Sequence, residues 1–171
     1  MWGPILEKAW AKVKGSYANT RGGHIVNGLR SLTGIPVYYY KTSKLISAAL
    51  VDEAMTMLKE ADKLNYLMGA QVDGGGDDSK TNACGINESH AYSIMAAFNL
   101  KDGANINEDV LMLRNPWGKT TYNKKWNYAD TTWTNALVAQ VPLGIDPRTA
   151  NTKGIFIMPK SGLTSTGKCF D

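Results

Sequence analysis

The feature of this sequence that most constrains its fold is an apolar run with a period of two residues. It begins at His90 and is followed by a polar connection, 101–107, that contains the turn dipeptide Asp102-Gly103. Alternation of this kind is typical of a half-buried β-strand, and residues 110–114 indicate a second strand after the turn. One predicted face of the first strand carries His90, Tyr92, Ile94, Ala96 and Phe98, and the other carries Ala91, Ser93, Met95 and Ala97.

The two adjacent strands place a histidine and an asparagine within reach of each other. His90 begins the first strand, Asn115 follows the second, and Trp117 comes two residues later. A histidine that takes a proton from a nucleophile needs one tautomer and one orientation, which a neutral amide oxygen provides without adding a charge. We therefore predict a Cys-His-Asn type of catalytic site, in which the indole keeps water from the hydrogen bond. The alternative is a hydrogen-bonded pair with no catalytic role.

Two segments that contain these residues resemble a known family. The segments SHAYSI at 89–94 and LRNPWG at 113–118 are similar to the His and Asn motifs of calpains, which are intracellular, papain-like cysteine proteases. The resemblance covers nearly the whole chain, in order. Its other parts are LEKAWAKVKGSY near the N-terminus, Gly22-Gly23, Leu32-Thr33-Gly34, Trp126, Trp133 and residues 154–158.

The resemblance implies a fold and an activity. The fold would be α+β: a mostly antiparallel β-sheet, as in the barrel-like lobe of papain-like proteases, with a few flanking helices. Residues 1–160 would form the second subdomain of the catalytic core, the half with the His and the Asn, and 161–171 would form a loose C-terminal tail. The activity would be peptide-bond hydrolysis, with His90 as general base and then acid, Asn115 as its orienting residue and Trp117 as the shield.

The nucleophile that the resemblance implies is missing from this sequence. Calpains carry it in a Gly-x-Cys-Trp motif in the first half of the core, and neither that motif nor the upstream Gln occurs here. Cys84 has no helical pattern after it, so we interpret it as a structural cysteine, and Cys169 lies in the predicted tail. The sequence therefore predicts a protein partner. For a protease, this partner is a Cys-bearing lobe, either on a longer precursor or on a separate chain. For a non-catalytic module, the partner is a larger assembly such as a cytoskeletal one.

The calcium ligands that the resemblance implies are also replaced. At their positions the chain has Thr121 and Tyr128 after the Asn motif, then Lys153 and Ile155 before the last strand, which leaves Asp130 alone. Because calcium needs several oxygen ligands, mostly carboxylates, we expect no family calcium site and no other cofactor. A milder departure precedes the histidine, where a serine stands in place of the usual glycine.

Composition narrows the class of protein further. With 171 residues, 43% hydrophobic and 20% charged, the chain is long enough for one globular domain. The net charge is +4, but the lysines are scattered, which argues against nucleic-acid binding. No apolar run reaches the roughly 20 residues of a membrane span, and the first four residues do not resemble a signal peptide. Two cysteines are too few for a disulfide framework, so a reducing, cytoplasmic setting is predicted.

Periodicity and turn residues predict the flanking elements as well. The glycine-rich acidic stretch at 74–78 is interpreted as a mobile turn, because it lacks the alternating ligands of an EF-hand loop. The pattern predicts helices at 4–14, 26–32 and about 45–64, strands at 66–72 and 155–158, an extended segment or edge strand at 35–40, and a helix or loop at 135–144.

Overall fold

The computed structural model describes residues 1–164 and 169–170. Over these residues it contains a four-stranded antiparallel sheet and four α-helices, which confirms the predicted α+β fold class. The strands lie in the sheet in chain order. The α-helices are α1 (Trp2–Lys14), α2 (Ile25–Thr33), α3 (Ala48–Lys63) and α4 (Asn135–Val138), the strands are β1 (Met68–Val72), β2 (His90–Asp102), β3 (Ile106–Arg114) and β4 (Ile155–Pro159), and short 3₁₀ helices span Ala18–Thr20, Thr42–Lys44, Pro142–Gly144, Ala150–Lys153 and Lys160–Leu163.

The chain divides into two compact units, Met1–Tyr39 and Tyr40–Asp171. The first unit consists of α1, a 3₁₀ turn and α2. Both α-helices end at a glycine with a left-handed backbone, Gly15 at φ 88° and Gly34 at φ 68°, a conformation that strains other residues. The two helices predicted here are therefore confirmed. Of the edge strand or extended segment predicted at 35–40, the strand does not form.

The second unit carries the sheet, with α3 packed against it. The helix begins at Ala48, three residues later than predicted, because Ser47 caps it: the Ser47 hydroxyl accepts a hydrogen bond from the Leu50 N–H at 3.4 Å. Met55 of this helix is buried in the hydrophobic core between helix and sheet. In the described ranges, no helix combines the length and the apolar character that crossing a membrane requires.

The sheet separates two hydrophobic cores. The helix-side core includes Met55, and the tryptophan-side core is covered by Trp126, Trp133 and Leu137 from the segment after β3. Alternate residues of the two strands nearest that segment belong to different cores, as expected for strands buried on both faces. Leu111, Leu113, Phe156 and Met158 belong to the helix-side core, and Val110, Met112, Ile155 and Ile157 belong to the tryptophan-side core.

A β-bulge changes the predicted alternation of β2. The pairing register with β3 shifts between Ile94 and Ala96. After the shift, Ala97 joins the helix-side core with Ile94, whereas Ala96 and Phe98 pack on the tryptophan-side core. The prediction that Ala96 and Phe98 share a face with the first residue of the strand was wrong, because one extra residue inverts the order of the faces. The carboxylate of Asp62 on α3 accepts the Ala97 N–H at 2.9 Å and stabilises the bulge.

The β2–β3 hairpin is longer than the pattern indicated. β2 continues to Asp102 and β3 begins at Ile106, and these two residues pair with each other. The polar connection predicted at 101–107 therefore shrinks to 103–105, where Gly103 adopts a left-handed backbone with φ 55°. The polar side chains do not prevent pairing, because the ladder is made by backbone groups.

The two cysteines form a disulfide, Cys84–Cys169, which the cysteine count did not predict. The two cysteines are 85 residues apart, so no local sequence pattern predicts that they pair. The bond removes the cysteine argument for a reducing setting, since disulfides persist mainly in oxidising compartments. The cytoplasmic location stays a prediction.

The predicted loose tail, 161–171, falls in part on residues 165–168 and 171, which lie outside the described residues. In the described part of the tail, Leu163, Cys169 and Phe170 are buried. The side chain of Asn82 also donates a hydrogen bond to the Cys169 carbonyl at 3.0 Å. This part of the tail buries more than its Gly/Ser/Thr-rich composition indicated, because the disulfide holds it against the helix-side core.

Candidate active site

The predicted histidine and asparagine lie side by side at one end of the sheet. His90 is the first residue of β2, and Asn115 follows the last residue of β3. Nε2 of His90 lies 3.0 Å from Oδ1 of Asn115. Both residues are buried, with exposed fractions of 9% and 2%. The predicted juxtaposition is confirmed, and the catalytic role of the pair stays a prediction.

This hydrogen bond determines which nitrogen of the His90 ring carries the proton. The amide oxygen of Asn115 only accepts, so Nε2 donates, and Nδ1 keeps its lone pair when the ring is neutral. Within the described part of the chain, the only hydrogen bond of the His90 side chain is the one at Nε2. The ring is therefore arranged to receive a proton at Nδ1 from a group that approaches it there.

Trp117 contacts both members of the pair. Its indole and the imidazole of His90 have centroids 4.3 Å apart and are tilted by 47°. The backbone N–H of Trp117 donates to Oδ1 of Asn115 at 3.0 Å. The residue is 46% exposed, so the indole lies between the buried pair and solvent.

A tight turn after β3 sets the backbone of Asn115. Its N–H donates to the Gly154 carbonyl at 2.9 Å, and its carbonyl accepts from the Gly118 N–H at 3.1 Å. Gly154 has φ 75°, and a Cβ at this position would lie 2.5 Å from the Asn115 carbonyl oxygen. Only glycine fits there without displacing the asparagine.

The residue before His90 has a backbone conformation that favours glycine. Ser89 has φ 48°, which explains in physical terms why the resemblance implies glycine here. The Ser89 hydroxyl accepts a hydrogen bond from the Gly76 N–H at 2.9 Å, and a Cβ at Gly74 would lie 2.8 Å from the same oxygen. The glycine-rich stretch 74–78 therefore packs against the start of β2.

Sequence reasoning missed two residues that support the pair. Oδ1 of Asn87 accepts a hydrogen bond from Nδ2 of Asn115 at 3.3 Å. The hydroxyl of Tyr92 accepts from the Asn87 N–H at 2.8 Å and donates to Oδ1 of Asn87 at 3.3 Å. The alternation of β2 placed Tyr92 on the same face as His90, and this was the signal that could have identified Tyr92. Asn87 precedes the strand, so the alternation gives no information about it.

The aromatic ring of Tyr92 links the pair to the helix-side core. It contacts His90 edge-on, with centroids 5.1 Å apart, and also packs against Phe156 and Phe170. Burial raises the pKa of Tyr92 to about 12. The hydroxyl is therefore protonated at neutral pH and remains a hydrogen-bond donor.

Neither cysteine of the chain offers a thiol to this site. Cys84 and Cys169 are bonded to each other and buried, which agrees with the interpretation of Cys84 as structural. A disulfide sulfur cannot act as the thiolate nucleophile that the chemistry requires. Any nucleophile that uses His90 has to come from another segment or chain.

Two polar residues from the implied calcium-binding region, Thr121 and Asp130, use their side-chain oxygens in other contacts. The Thr121 hydroxyl donates to the Gly85 carbonyl at 2.8 Å. The Asp130 carboxylate accepts the N–H groups of Trp126 at 2.7 Å and Thr132 at 2.9 Å. Over residues 1–164 and 169–170, no group of three or more His, Cys, Asp or Glu side chains is placed to hold a metal ion. These residues do not fit a calcium ion, and the loss of the family's calcium site remains a prediction.

Known proteins resemble this chain over most of its length. The sequence model for the calpain family cysteine proteases matches residues 1–162. Calpain-5 of Caenorhabditis elegans is 27% identical over 179 residues, which covers 92% of this chain and 28% of that protein. The Calpain-2 catalytic subunit of Gallus gallus is 26% identical over 148 residues, with coverage of 85% and 19%. Calpain-9 of Homo sapiens is 27% identical over 135 residues, with coverage of 77% and 19%.

The chain spans less than a third of the length of each of these relatives. The family match, in contrast, extends over nearly all of its own residues. The hydrogen-bonded histidine and asparagine, with a tryptophan beside them, lie within the matched range. On the evidence of the match, this chain belongs to the calpain family of cysteine proteases.

Proposed function

We propose that this chain is the half of a calpain-like cysteine endopeptidase that carries the histidine and the asparagine. It hydrolyses peptide bonds only when a Cys-bearing half completes the site. The observation that supports this most is the 3.0 Å contact between Nε2 of His90 and the amide oxygen of Asn115. The contact leaves the other ring nitrogen for proton transfer, which is what activation of a thiol requires.

In the proposed reaction, Nδ1 of His90 takes the proton of the incoming thiol. The thiolate attacks the carbonyl carbon of the peptide, and the carbonyl electrons move to oxygen. When this intermediate collapses, the C–N bond breaks and the imidazolium gives its proton to the leaving amine, which leaves a thioester. Water then attacks the thioester, Nδ1 takes a proton from that water, and the C–S bond breaks. The sulfur regains the proton, and the acid product is released.

Asn115 and Trp117 have supporting roles in this proposal. The amide oxygen of Asn115 accepts from Nε2–H whether Nδ1 is protonated or not, so the ring does not turn during the cycle. The indole of Trp117 covers the imidazole and limits the access of water to the hydrogen bond. The amide adds no charge, so it does not compete with the thiolate as a charged partner of the imidazolium.

A non-catalytic module is the second candidate, and the disulfide is the observation that favours it. Both cysteines are bonded, so the chain by itself has no thiol nucleophile. Under this candidate the packing of the fold is retained while the chain serves a larger protein assembly, such as a cytoskeletal one. For both candidates we propose protein partners in the cytoplasm, and we expect neither nucleic acid nor a membrane to bind.

The experiment that tests the proposal is complementation. The chain is co-expressed with a Cys-bearing half of a calpain core, taken from coding sequence upstream of Met1 or from one of the relatives above. Hydrolysis of a fluorogenic peptide is then measured. We expect activity that falls about 10²-fold to 10⁴-fold in His90→Ala, the range for loss of a general acid–base residue. Activity that survives this substitution would contradict the proposal.

Two controls make the result specific. His24→Ala removes the other histidine, which lies at the start of α2, and should leave hydrolysis unchanged. An epoxide probe for reactive thiols should not label the isolated chain, because both cysteines are bonded. A stable assembly with the Cys-bearing half that shows no hydrolysis would support the non-catalytic module.

A further inference from the structure

We infer that Asn87 is a positioning residue that fixes the carboxamide of Asn115 with its oxygen toward His90. The catalytic meaning of this inference rests on the proposed function, but the geometry does not. Asn87 lies in the segment before β2 and is held there by backbone pairing with Thr81. Among the described residues, its side chain forms hydrogen bonds with Asp78, Tyr92 and Asn115, so it acts on the imidazole through Asn115.

The hydrogen bonds of Asn87 specify which end of its own carboxamide faces Asn115. Its Nδ2 donates to the Asp78 carbonyl at 3.0 Å, which places the oxygen at the other end. That oxygen accepts from Nδ2 of Asn115 at 3.3 Å and from the Tyr92 hydroxyl at 3.3 Å. Because the Asp78 carbonyl only accepts, rotation of the Asn87 carboxamide by half a turn would place two oxygens against each other.

Hydrogen bonds to both the oxygen and the NH₂ group of Asn115 fix the orientation of its carboxamide in the same way. Its oxygen accepts from the Trp117 N–H and from Nε2 of His90, and its NH₂ group donates to Asn87. If the carboxamide were turned over, the NH₂ group would face the Trp117 N–H, which is also a donor. The Asn115 oxygen would then face the oxygen of Asn87. At a residue only 2% exposed, water does not easily replace these lost partners.

The orientation of this carboxamide decides the tautomer of the imidazole. A turned-over Asn115 would offer N–H to Nε2 of His90, which would then have to accept and would leave the proton on Nδ1. In that tautomer Nδ1 cannot take a proton from a thiol, so the ring would not serve as a base. The oxygen of Asn87 therefore favours the tautomer that the chemistry uses.

Tyr92 keeps Asn87 in place. Its hydroxyl both accepts from the Asn87 N–H and donates to the Asn87 oxygen, which leaves the other lone pair of that oxygen for Asn115. The ring is buried, with 2% of its surface exposed. The chain of contacts thus runs from the helix-side core through Tyr92 and Asn87 to Asn115.

The test is ¹⁵N NMR of the histidine rings in the full chain, recorded at a pH where the imidazole is neutral. We expect wild-type His90 to be almost entirely the Nε2–H tautomer. In Asn87→Val the ratio of the Nδ1–H to the Nε2–H tautomer should rise about fivefold to tenfold, as expected for the loss of one half-buried hydrogen bond of ordinary strength.

A matched control separates positioning from a general loss of stability. Asn99→Val makes the same change at another half-buried asparagine, which lies in β2 nine residues after His90, and it should leave the ring spectrum of His90 unchanged. If Asn87→Val does not fold, Asn87→Ser gives the same test, because its side chain is shorter and does not reach Nδ2 of Asn115.

The outcomes distinguish this inference from the proposed function. A wild-type Nε2–H tautomer that is unchanged in the Val or Ser variant would overturn the role of Asn87 alone. A wild-type ring without the Nε2–H tautomer would overturn both, because the His90–Asn115 bond would be absent.

Discussion

The two ends of β2 carry polar side chains of different kinds. At its start lies a neutral network made of His90, Asn115, Asn87 and Tyr92, in which hydrogen bonds join uncharged groups. Toward its other end lies a charged network made of Lys59, Asp109, Lys160, Asp52 and Asn99. Both networks link elements that are distant in the sequence.

The charged network centres on one carboxylate. Asp109 on β3 forms an ion pair with Lys59 of α3, lies 3.8 Å from the Lys160 ammonium, and accepts a hydrogen bond from Nδ2 of Asn99 at 2.9 Å. Lys160 also pairs with Asp52 at 2.5 Å. Burial by itself raises the pKa of Asp109, but the hydrogen bonds from Lys59 and Asn99 and the charges of both lysines outweigh it and lower that pKa below its usual value.

The comparison shows what each kind of network is suited to. Charge pairs hold α3 and the segment after β4 against the sheet, but their strength depends on pH and salt. The neutral network specifies the direction of each donor and acceptor, and protonation near neutral pH does not change Asn115, Asn87 or Tyr92. A site that has to hold one tautomer is therefore better supported by amides and a phenol than by ions.

The largest expected effect is on the neutral end, through the disulfide that holds Phe170 against Tyr92. Replacement of both Cys84 and Cys169 by Ala should lower the free energy of unfolding by about 4.5 kcal/mol, the value expected for a loop closed over 85 residues. Urea unfolding with and without a reductant measures this. The double variant should not respond to the reductant, and a wild-type loss below about 1 kcal/mol would contradict the prediction.

The next effect is on the hydroxyl within the neutral network. Tyr92→Phe leaves the Asn87 N–H without its acceptor and should cost about 2 kcal/mol, because an unsatisfied buried group is expensive. Tyr66→Phe is the matched control, since Tyr66 is exposed, and should change stability by less than about 0.5 kcal/mol. Equal unfolding midpoints in urea for the two variants would show that the hydroxyl of Tyr92 does not support the site.

The contribution of the charged network to stability should fall in acid, whereas that of the neutral amides and phenol should not. Because the folded pKa of Asp109 is depressed, its contribution is complete above the unfolded pKa, about 3.9, and is lost as the pH falls through the lower folded pKa. Asp109→Asn should cost about 1 kcal/mol at pH 7 and lose less stability than wild type below pH ~4. Urea unfolding from pH 7 to 2 tests this, with Glu53→Gln on the exposed side of α3 as control. Parallel pH profiles for wild type and Asp109→Asn would be the contrary result.

The smallest effect is expected at Asn99, which differs from Asn115 in being only partly satisfied. Over the described residues, its Oδ1 is buried without a hydrogen-bond partner, although its Nδ2 bonds Asp109. Asn99→Val removes the hydrogen bond to Asp109, which destabilises the fold, and the unsatisfied Oδ1, which stabilises it. The free energy of unfolding should therefore change by less than about 1 kcal/mol. The same substitution at Asn115 should cost more, because it orphans groups of His90 and Trp117. Comparable losses in urea unfolding would remove the distinction between the two asparagines.

Several features were predictable because their signals are local. The ends of α1 and α2 follow from glycines that adopt left-handed conformations, and the strand periodicity of 90–94 follows from alternate burial. The proximity of His90 and Asn115 was also predictable, since a hairpin brings the start of one strand beside the end of the next. The interpretation of Cys84 as structural agrees with its bond to Cys169, although that bond was not foreseen.

The sequence by itself determined the order of elements, the hairpin and the identity of the paired side chains, because these depend on spacing over a few residues. Only the tertiary structure decided the bulge in β2, the Cys84–Cys169 bond and the contact of Asn87 with Asn115. The physical reason is that these features join groups from different elements, up to 85 residues apart. Their partners are selected by the path of the backbone and by the need to satisfy each buried donor and acceptor, and no periodicity in the sequence records that selection.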